Sequence, residues 1–179
     1  HDSDDRPCPF YNEGMQARVE YYESDSNLKG AMAMKDILRS RGYEVFMSRV
    51  NNTTDDDLNL FEIHQLALNS GADVFFAVHS NSSGSATRRV NFPFAIYRGY
   101  DGGGTAEGSE ELAGIVASNL ADCEATSWSR GGLTHGDWSF YRNRSGLGVF
   151  RWNKLPGILV EICFHDYQIE RERLLNKDY

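Results

Sequence analysis

The spacing of apolar residues changes several times along the chain, and each change marks an element. From Ser26 onward, Leu28, Ala31, Met32, Met34, Ile37 and Leu38 recur at helical spacing, and Gly42 follows where a helix would end. YEVFMS (43–48) is rich in strand formers and predicts a short strand; NNTTDDD (51–57) reads as a loop. A second helix is expected over 57–70, with Leu58, Phe61, Leu66 and Ala67 inward and Gly71 at its end. DVFFAV (73–78) is apolar on both faces, as in the middle of a sheet, and FPFAIY (92–97) is a strand whose Pro93 suggests an edge or its first residues. A Gly-rich loop (99–108) leads into a third helix, SEELAGIVASNLAD, and GILVEICF (157–164) predicts a last buried strand before a charged helical tail. Residues 1–22, with Pro7, Pro9 and Gly14, read as a loosely structured entry, and 125–146 as irregular and aromatic.

Strands alternating with helices predict an α/β fold: three layers, with a largely parallel or mixed sheet between helices. With 179 residues and no repeat, linker or low-complexity tract, one domain over residues 1–179 is expected. A net charge of −8 argues against a nucleic-acid surface, which needs clustered Lys and Arg. No apolar run is long enough to span a bilayer. The chain opens on HDSDDRPCPF without a methionine, so a lost targeting segment stays open. Cys8, Cys123 and Cys163 form no C-x-x-C pair; Cys163 reads as a small buried hydrophobe.

In such sheets, functional groups collect beyond the carboxyl ends of the strands. His79 ends one apolar run and Glu161 lies within another. Either alone fits a hydrogen-bonded buried residue with no ligand. Together they favour a site, because an ionised carboxylate between GILV and ICF is costly unless paired, hydrogen-bonded or near a metal. Glu23 fits an acidic residue favoured at a helix start. His64, His135 and His165 are compatible with surface or helix positions. GYDGGGTAEG lacks both phosphate-loop spacings.

Four segments in order carry a family resemblance: ESDSNL (23–28), GYEVFMSR (42–49), GADVFFAVHSN (71–81) and LGVFRWNKLPGILVEICF (147–164). The chain resembles the catalytic domain of zinc-dependent N-acetylmuramoyl-L-alanine amidases, the type 3 amidases. Its departures are a first histidine without the family's Gly-His context, a missing arginine in the second helix near Glu62 and Ile63, and FHDY (164–167) after the catalytic Glu. The resemblance suggests that the chain is trimmed at both ends. It implies zinc held by His1, Glu23 and His79, Glu161 as catalytic carboxylate, and Asn81 as a substrate contact. Three protein ligands would leave a fourth position for water. It also implies zinc-assisted hydrolysis of the amide between N-acetylmuramic acid and L-alanine, with peptidoglycan as partner, outside the cell or in its envelope. Trp128, Trp138 and Tyr141 offer either a sugar-contact surface or loop packing. The competing readings are a metal-free wall-binding domain of the same fold and a zinc peptidase acting within the stem peptide. A glycosidase using Glu23 and Glu161 leaves His79 unexplained.

Overall fold

The computed structural model describes residues 10–12, 17–19, 21–53, 58–84, 90–99, 107–122, 133–141 and 146–176. In chain order these form β1 (Phe10–Asn12), β2 (Ala17–Val19), α1 (Glu23–Ser40), α2 (Leu60–Asn69), β3 (Phe75–Asn81) and β4 (Phe94–Tyr97). There follow α3 (Ser109–Asp122), β5 (Leu133–Gly136), α4 (Asp137–Tyr141), a 3₁₀ turn (Gly148–Phe150), β6 (Gly157–Phe164) and α5 (Gln168–Leu175). The main sheet has the order β3-β6-β4-β5, and β1 pairs with β2 in a separate antiparallel ribbon. β3 runs parallel to β6 and β4 parallel to β5, whereas β4 and β6 are antiparallel. This is the expected α/β fold with a mixed sheet and helices on both faces.

Side-chain alternation along the strands builds two cores. Phe75 and Ala77 of β3, Phe94 and Ile96 of β4, and Leu159 of β6 point to one face, where Ile63 and Ala67 of α2 cover them. Ala95, Ile158 and Val160 point to the other, against Ala113 and Ala117 of α3. Those two alanines sit one helical turn apart, which lets α3 lie close to the sheet. β6, between β3 and β4, is buried at nearly every position, which is why its sequence reads as a continuous apolar run.

Local chemistry sets the helix ends. Asn59 Oδ1 accepts from the amides of Phe61 and Glu62, both at 3.0 Å, while Glu62 Oε2 accepts from Asn59 N at 2.8 Å. This reciprocal cap starts α2 at Leu60, later than the expected residue 57. α1 ends where Tyr43 N bonds Leu38 O and Gly42 N bonds Arg39 O, with Gly42 at φ +88°. That left-handed cap is the reason for a glycine there.

Several expectations are corrected. Residues 43–48 form no strand: they pair in no ladder among the described residues, and Tyr43 and Phe46 are exposed. β3 is an edge of the four-stranded sheet rather than its middle, whereas β4 is internal and Pro93 merely precedes it. On α2 the inward set is Ile63, His64 and Ala67; Leu58 and Phe61 are exposed, and Phe61 meets Trp152 edge-on at 5.7 Å. The polar entry holds the β1–β2 ribbon, and the irregular segment holds β5 and α4.

β4 and β5 leave the sheet at Gly99 and Gly136, where the two backbones almost touch. A Cβ on Gly136 would sit 2.9 Å from Gly99 Cα, and one on Gly99 would collide with Gly136 Cα. Gly99→Ala should therefore destabilise the protein by about 1–3 kcal/mol. Gly114→Ala, inside α3 with nothing within 4 Å of the added methyl, should stabilise it by about 0.5–1 kcal/mol. Urea unfolding of both variants checks the opposite signs.

Candidate metal and catalytic site

The site lies where the pairing of β3 with β6 slips. The parallel register runs from Phe75↔Gly157 to His79↔Glu161, and then Asn81 pairs with Phe164. His79 and Glu161 are register partners, so their side chains leave the same face of the sheet, and Glu161 lies opposite Phe94 on its other side. At the slip, both backbone groups of Ser80 are bonded by side chains. Its N–H donates to Glu23 Oε1 at 3.1 Å, and its carbonyl accepts from His165 Nδ1 at 3.0 Å.

Glu23 opens α1 and is buried. Besides the Ser80 amide, its Oε1 accepts from Asn27 Nδ2 at 3.1 Å and lies 3.3 Å from His79 Nδ1. Burial pushes the Glu23 pKa up, but the bonds from His79 and Ser80 and the charges of His79 and His165 outweigh it, so the carboxyl sits below its ordinary value. The helix turn carrying Glu23 is itself clamped. Arg49 donates to Ser24 O at 3.0 Å, and Asn52 Nδ2 donates to Ser24 Oγ at 3.0 Å and Asp25 Oδ1 at 2.7 Å. These bonds explain what Asn27 and Arg49 contribute within two of the quoted segments.

Glu161 is 6 % exposed, while the His79 side chain keeps about a third of its surface open. A buried carboxylate in register with a partly open imidazole is an arrangement suited to proton transfer. Asn81 ends β3, and its Oδ1 accepts from Ser82 N at 2.7 Å. Asp166, just beyond β6, ties down the next turn: its Oδ2 accepts from Ser83 N at 2.8 Å, Ser83 Oγ at 2.8 Å and Ser82 Oγ at 3.1 Å.

Two histidines that the sequence left as surface or helix positions are buried. His64 packs its ring 5.0 Å from that of Phe75, and burial lowers its pKa against an opposing backbone bond at Val149. His165 stacks on Tyr21 at 5.3 Å, and burial lowers its pKa more than nearby Glu23 raises it. No periodicity marks a residue just after a strand, so His165 was invisible to pattern reading. Free Cys163 is buried, as expected, and burial pushes its thiol pKa up. Trp138 follows β5, whose Gly136 aligns through Tyr97 with Ile158, at the end of the sheet away from Glu161. It is half-buried there, with its ring next to Gly146. His1, Cys8, Cys123 and Trp128 lie outside the described residues, as does the side chain of Tyr141.

Among the described residues, no three His, Cys, Asp or Glu side chains converge as one metal-ligating group; Glu23 and His79 form a pair. The pair fits zinc. Tetrahedral bonds of about 2.0–2.2 Å place two ligand atoms about 3.3–3.5 Å apart, and the carboxylate oxygen and ring nitrogen here are 3.3 Å apart.

The profile of the N-acetylmuramoyl-L-alanine amidase family matches residues 1–179. The chain belongs to this family, the type 3 amidases. It is similar to an N-acetylmuramoyl-L-alanine amidase from Clostridium difficile 630, with 26% identity, 90% of this chain and 77% of that one covered, and a TM-score of 0.71. The catalytic domain of the amidase CwlV from Bacillus (Paenibacillus) polymyxa var. colistinus is 25% identical, with 88% and 75% covered and a TM-score of 0.64. The amidase AmiC2 of Nostoc punctiforme shares the fold at 21% identity, with 88% and 76% covered and a TM-score of 0.69. No protein of curated function matches the sequence. Membership and these amidase neighbours support a peptidoglycan amidase activity.

The buried histidines set a pH dependence. Each binds a proton less readily in the fold than in the unfolded chain, whose value is about 6.5. Below that value the unfolded chain holds more protons, so stability is complete above about pH 6.5 and is lost as pH falls toward the folded pKa. His64→Phe should shallow this loss. Urea unfolding from about pH 7 to about pH 5 measures it, and a flat wild-type profile would contradict the assignment.

Proposed function

We propose that residues 1–179 form the catalytic domain of a peptidoglycan hydrolase that cleaves the amide between N-acetylmuramic acid and the L-alanine of the stem peptide. Zinc would be held by His1, Glu23 and His79. The observation that carries this reading is the 3.3 Å approach of Glu23 to His79, with Glu161 the register partner of His79. Zinc, when bound, supplies a Lewis acid that polarises the amide carbonyl and makes water a better nucleophile at neutral pH.

The chain's own residues do the remaining work. Glu161 takes the proton of the attacking water, then delivers a proton to the nitrogen of L-alanine as the C–N bond breaks. That delivery is required because an amide anion is a poor leaving group at neutral pH. Burial shields the Glu161 carboxylate from bulk water, and its rigid strand holds it at the reacting bond. Asn81, at the end of β3, contacts the substrate, and the turn pinned by Asp166 forms the adjoining rim. Such a substrate places the protein at the cell envelope or outside the cell.

Glu161→Gln keeps the side-chain volume but removes the base, so turnover should fall about 10²–10⁴-fold, with fold and zinc content retained. Glu23→Gln should lose zinc and activity together. Elemental analysis alongside wall-digestion rates distinguishes the two; zinc release from Glu161→Gln would make Glu161 a ligand. A wild-type protein that binds wall fragments without zinc or turnover would establish the metal-free binding domain instead.

Digestion of purified peptidoglycan should expose new L-alanine amino termini and no new reducing sugar ends. Termini inside the stem peptide would mark a peptidase, and reducing ends a glycosidase.

A further inference from the structure

Behind Glu23 and His79 lies a buried polar cluster that takes no part in the chemistry. Tyr21, Ser80 and His165 are 1, 3 and 9 % exposed. The Tyr21 hydroxyl is 2.9 Å from Ser80 Oγ, and that oxygen is 3.1 Å from His165 Nδ1. The same Nδ1 is 3.0 Å from the Ser80 carbonyl. A carbonyl only accepts, so Nδ1 carries a ring proton that points at Ser80. Residues from three places in the chain thus converge: one before α1, one in β3 and one after β6.

All of these bonds meet on Ser80, whose remaining backbone group, the N–H, donates to Glu23 Oε1 at 3.1 Å. Ser80 is also the residue next to His79, at the point where the strand register slips. The peptide from His79 to Ser80 carries the N–H that holds the Glu23 carboxylate, and the next peptide carries the carbonyl that His165 holds, so the backbone of this one residue links the carboxylate to the cluster behind it. The slip means that regular pairing with β6 does not hold Ser80 alone; the carbonyl bond from His165 adds the constraint. The Tyr21–His165 stack, 29° between planes, keeps the imidazole edge aimed at Ser80.

We propose that Tyr21, Ser80 and His165 are positioning residues that fix the spacing of Glu23 and His79 and so set the affinity of the site for zinc. The inference rests on the zinc reading above. Partners that orient metal ligands typically contribute about 10–100-fold in metal affinity. The opposing account is that the two rings are only packing, in which case their bulk matters and their hydrogen bonds do not.

The experiment compares wild type, His165→Phe, His165→Asn and Tyr21→Phe in the full chain, by zinc competition against a fluorescent chelator. The Ser80 amide proton shift is recorded in the zinc-free proteins. Phe keeps the stacked ring of His165 but removes its donor, whereas the Asn amide can restore a donor near Nδ1. His165→Phe should bind zinc about 10–100-fold more weakly and move the Ser80 amide signal, and His165→Asn should recover most of the affinity. Should His165→Phe fail to fold by circular dichroism, Tyr21→Phe, which loses only a hydroxyl, carries the test through weaker zinc binding and a moved Ser80 signal. Unchanged zinc affinity and amide shift in the folded variants would overturn the inference while leaving the zinc site intact. Wild-type affinity in His165→Phe together with weakening in His165→Asn would overturn it in favour of packing. Wild-type protein whose zinc binding is absent, or indifferent to Glu23→Gln, would overturn the zinc reading and this inference with it.

Discussion

The hydrogen bond from the Ser80 amide to the Glu23 carboxylate joins the first turn of α1 to the end of β3, and the geometry of the site depends on it. Helix and strand arrive from separate parts of the chain, and neither alone places a carboxylate beside an imidazole. The parallel pairing of β3 with β6 then adds Glu161 at the position matching His79. Three chemically useful side chains are thereby held by backbone elements rather than by loops. Such support gives a site the precision that catalysis requires.

The polar groups around the site are bonded to one another in a fixed order. Arg49 and Asn52 hold the turn of Glu23, Asn27 and Ser80 hold its carboxylate, and Asp166 holds the turn after β3. The donors on the Glu23 carboxylate and the imidazoles near it outweigh its burial and hold its pKa below the ordinary value. The apolar layers below, centred on Phe94, Ile96 and Leu159 on one face and Ala95, Ile158 and Val160 on the other, provide the rigid floor.

Elements whose pattern is continuous or long were legible in the sequence. The run 157–164 is β6 and the segment 109–122 is α3, residue for residue, because an uninterrupted apolar run and a long amphipathic repeat each admit one reading. Glu23, His79 and Glu161 were legible through the quoted segments, and the structure does bring Glu23 to His79. Three kinds of feature escaped. Strands of three or four residues, β1, β2 and β5, are too short to show alternation. The β-rich 43–48 segment has the propensity of a strand but joins no ladder among the described residues, a fact of tertiary structure. Tyr21 and His165 lie outside any periodic element, so their burial follows only from the way the chain folds back over Ser80.

The antiparallel step between β6 and β4 has a further consequence, for how the two ends of the sheet can vary. Because β4 starts beside Glu161 and ends beside Ile158, the connection from Asn81 to Phe94 leaves and returns at the end that carries His79 and Glu161, and β5 also begins there. The connections from Tyr97 to α3 and from Gly136 to Gly157 leave from the opposite end, as does the approach from α2 to Phe75. The architecture therefore separates two kinds of inheritance. Insertions and drift at the far end are filtered by packing alone, while length changes between β3 and β4 or between α3 and β5 fall at the end that carries His79 and Glu161. One end of the sheet is thereby free to change in length among descendants of such a chain while the strands that carry His79 and Glu161 keep their register.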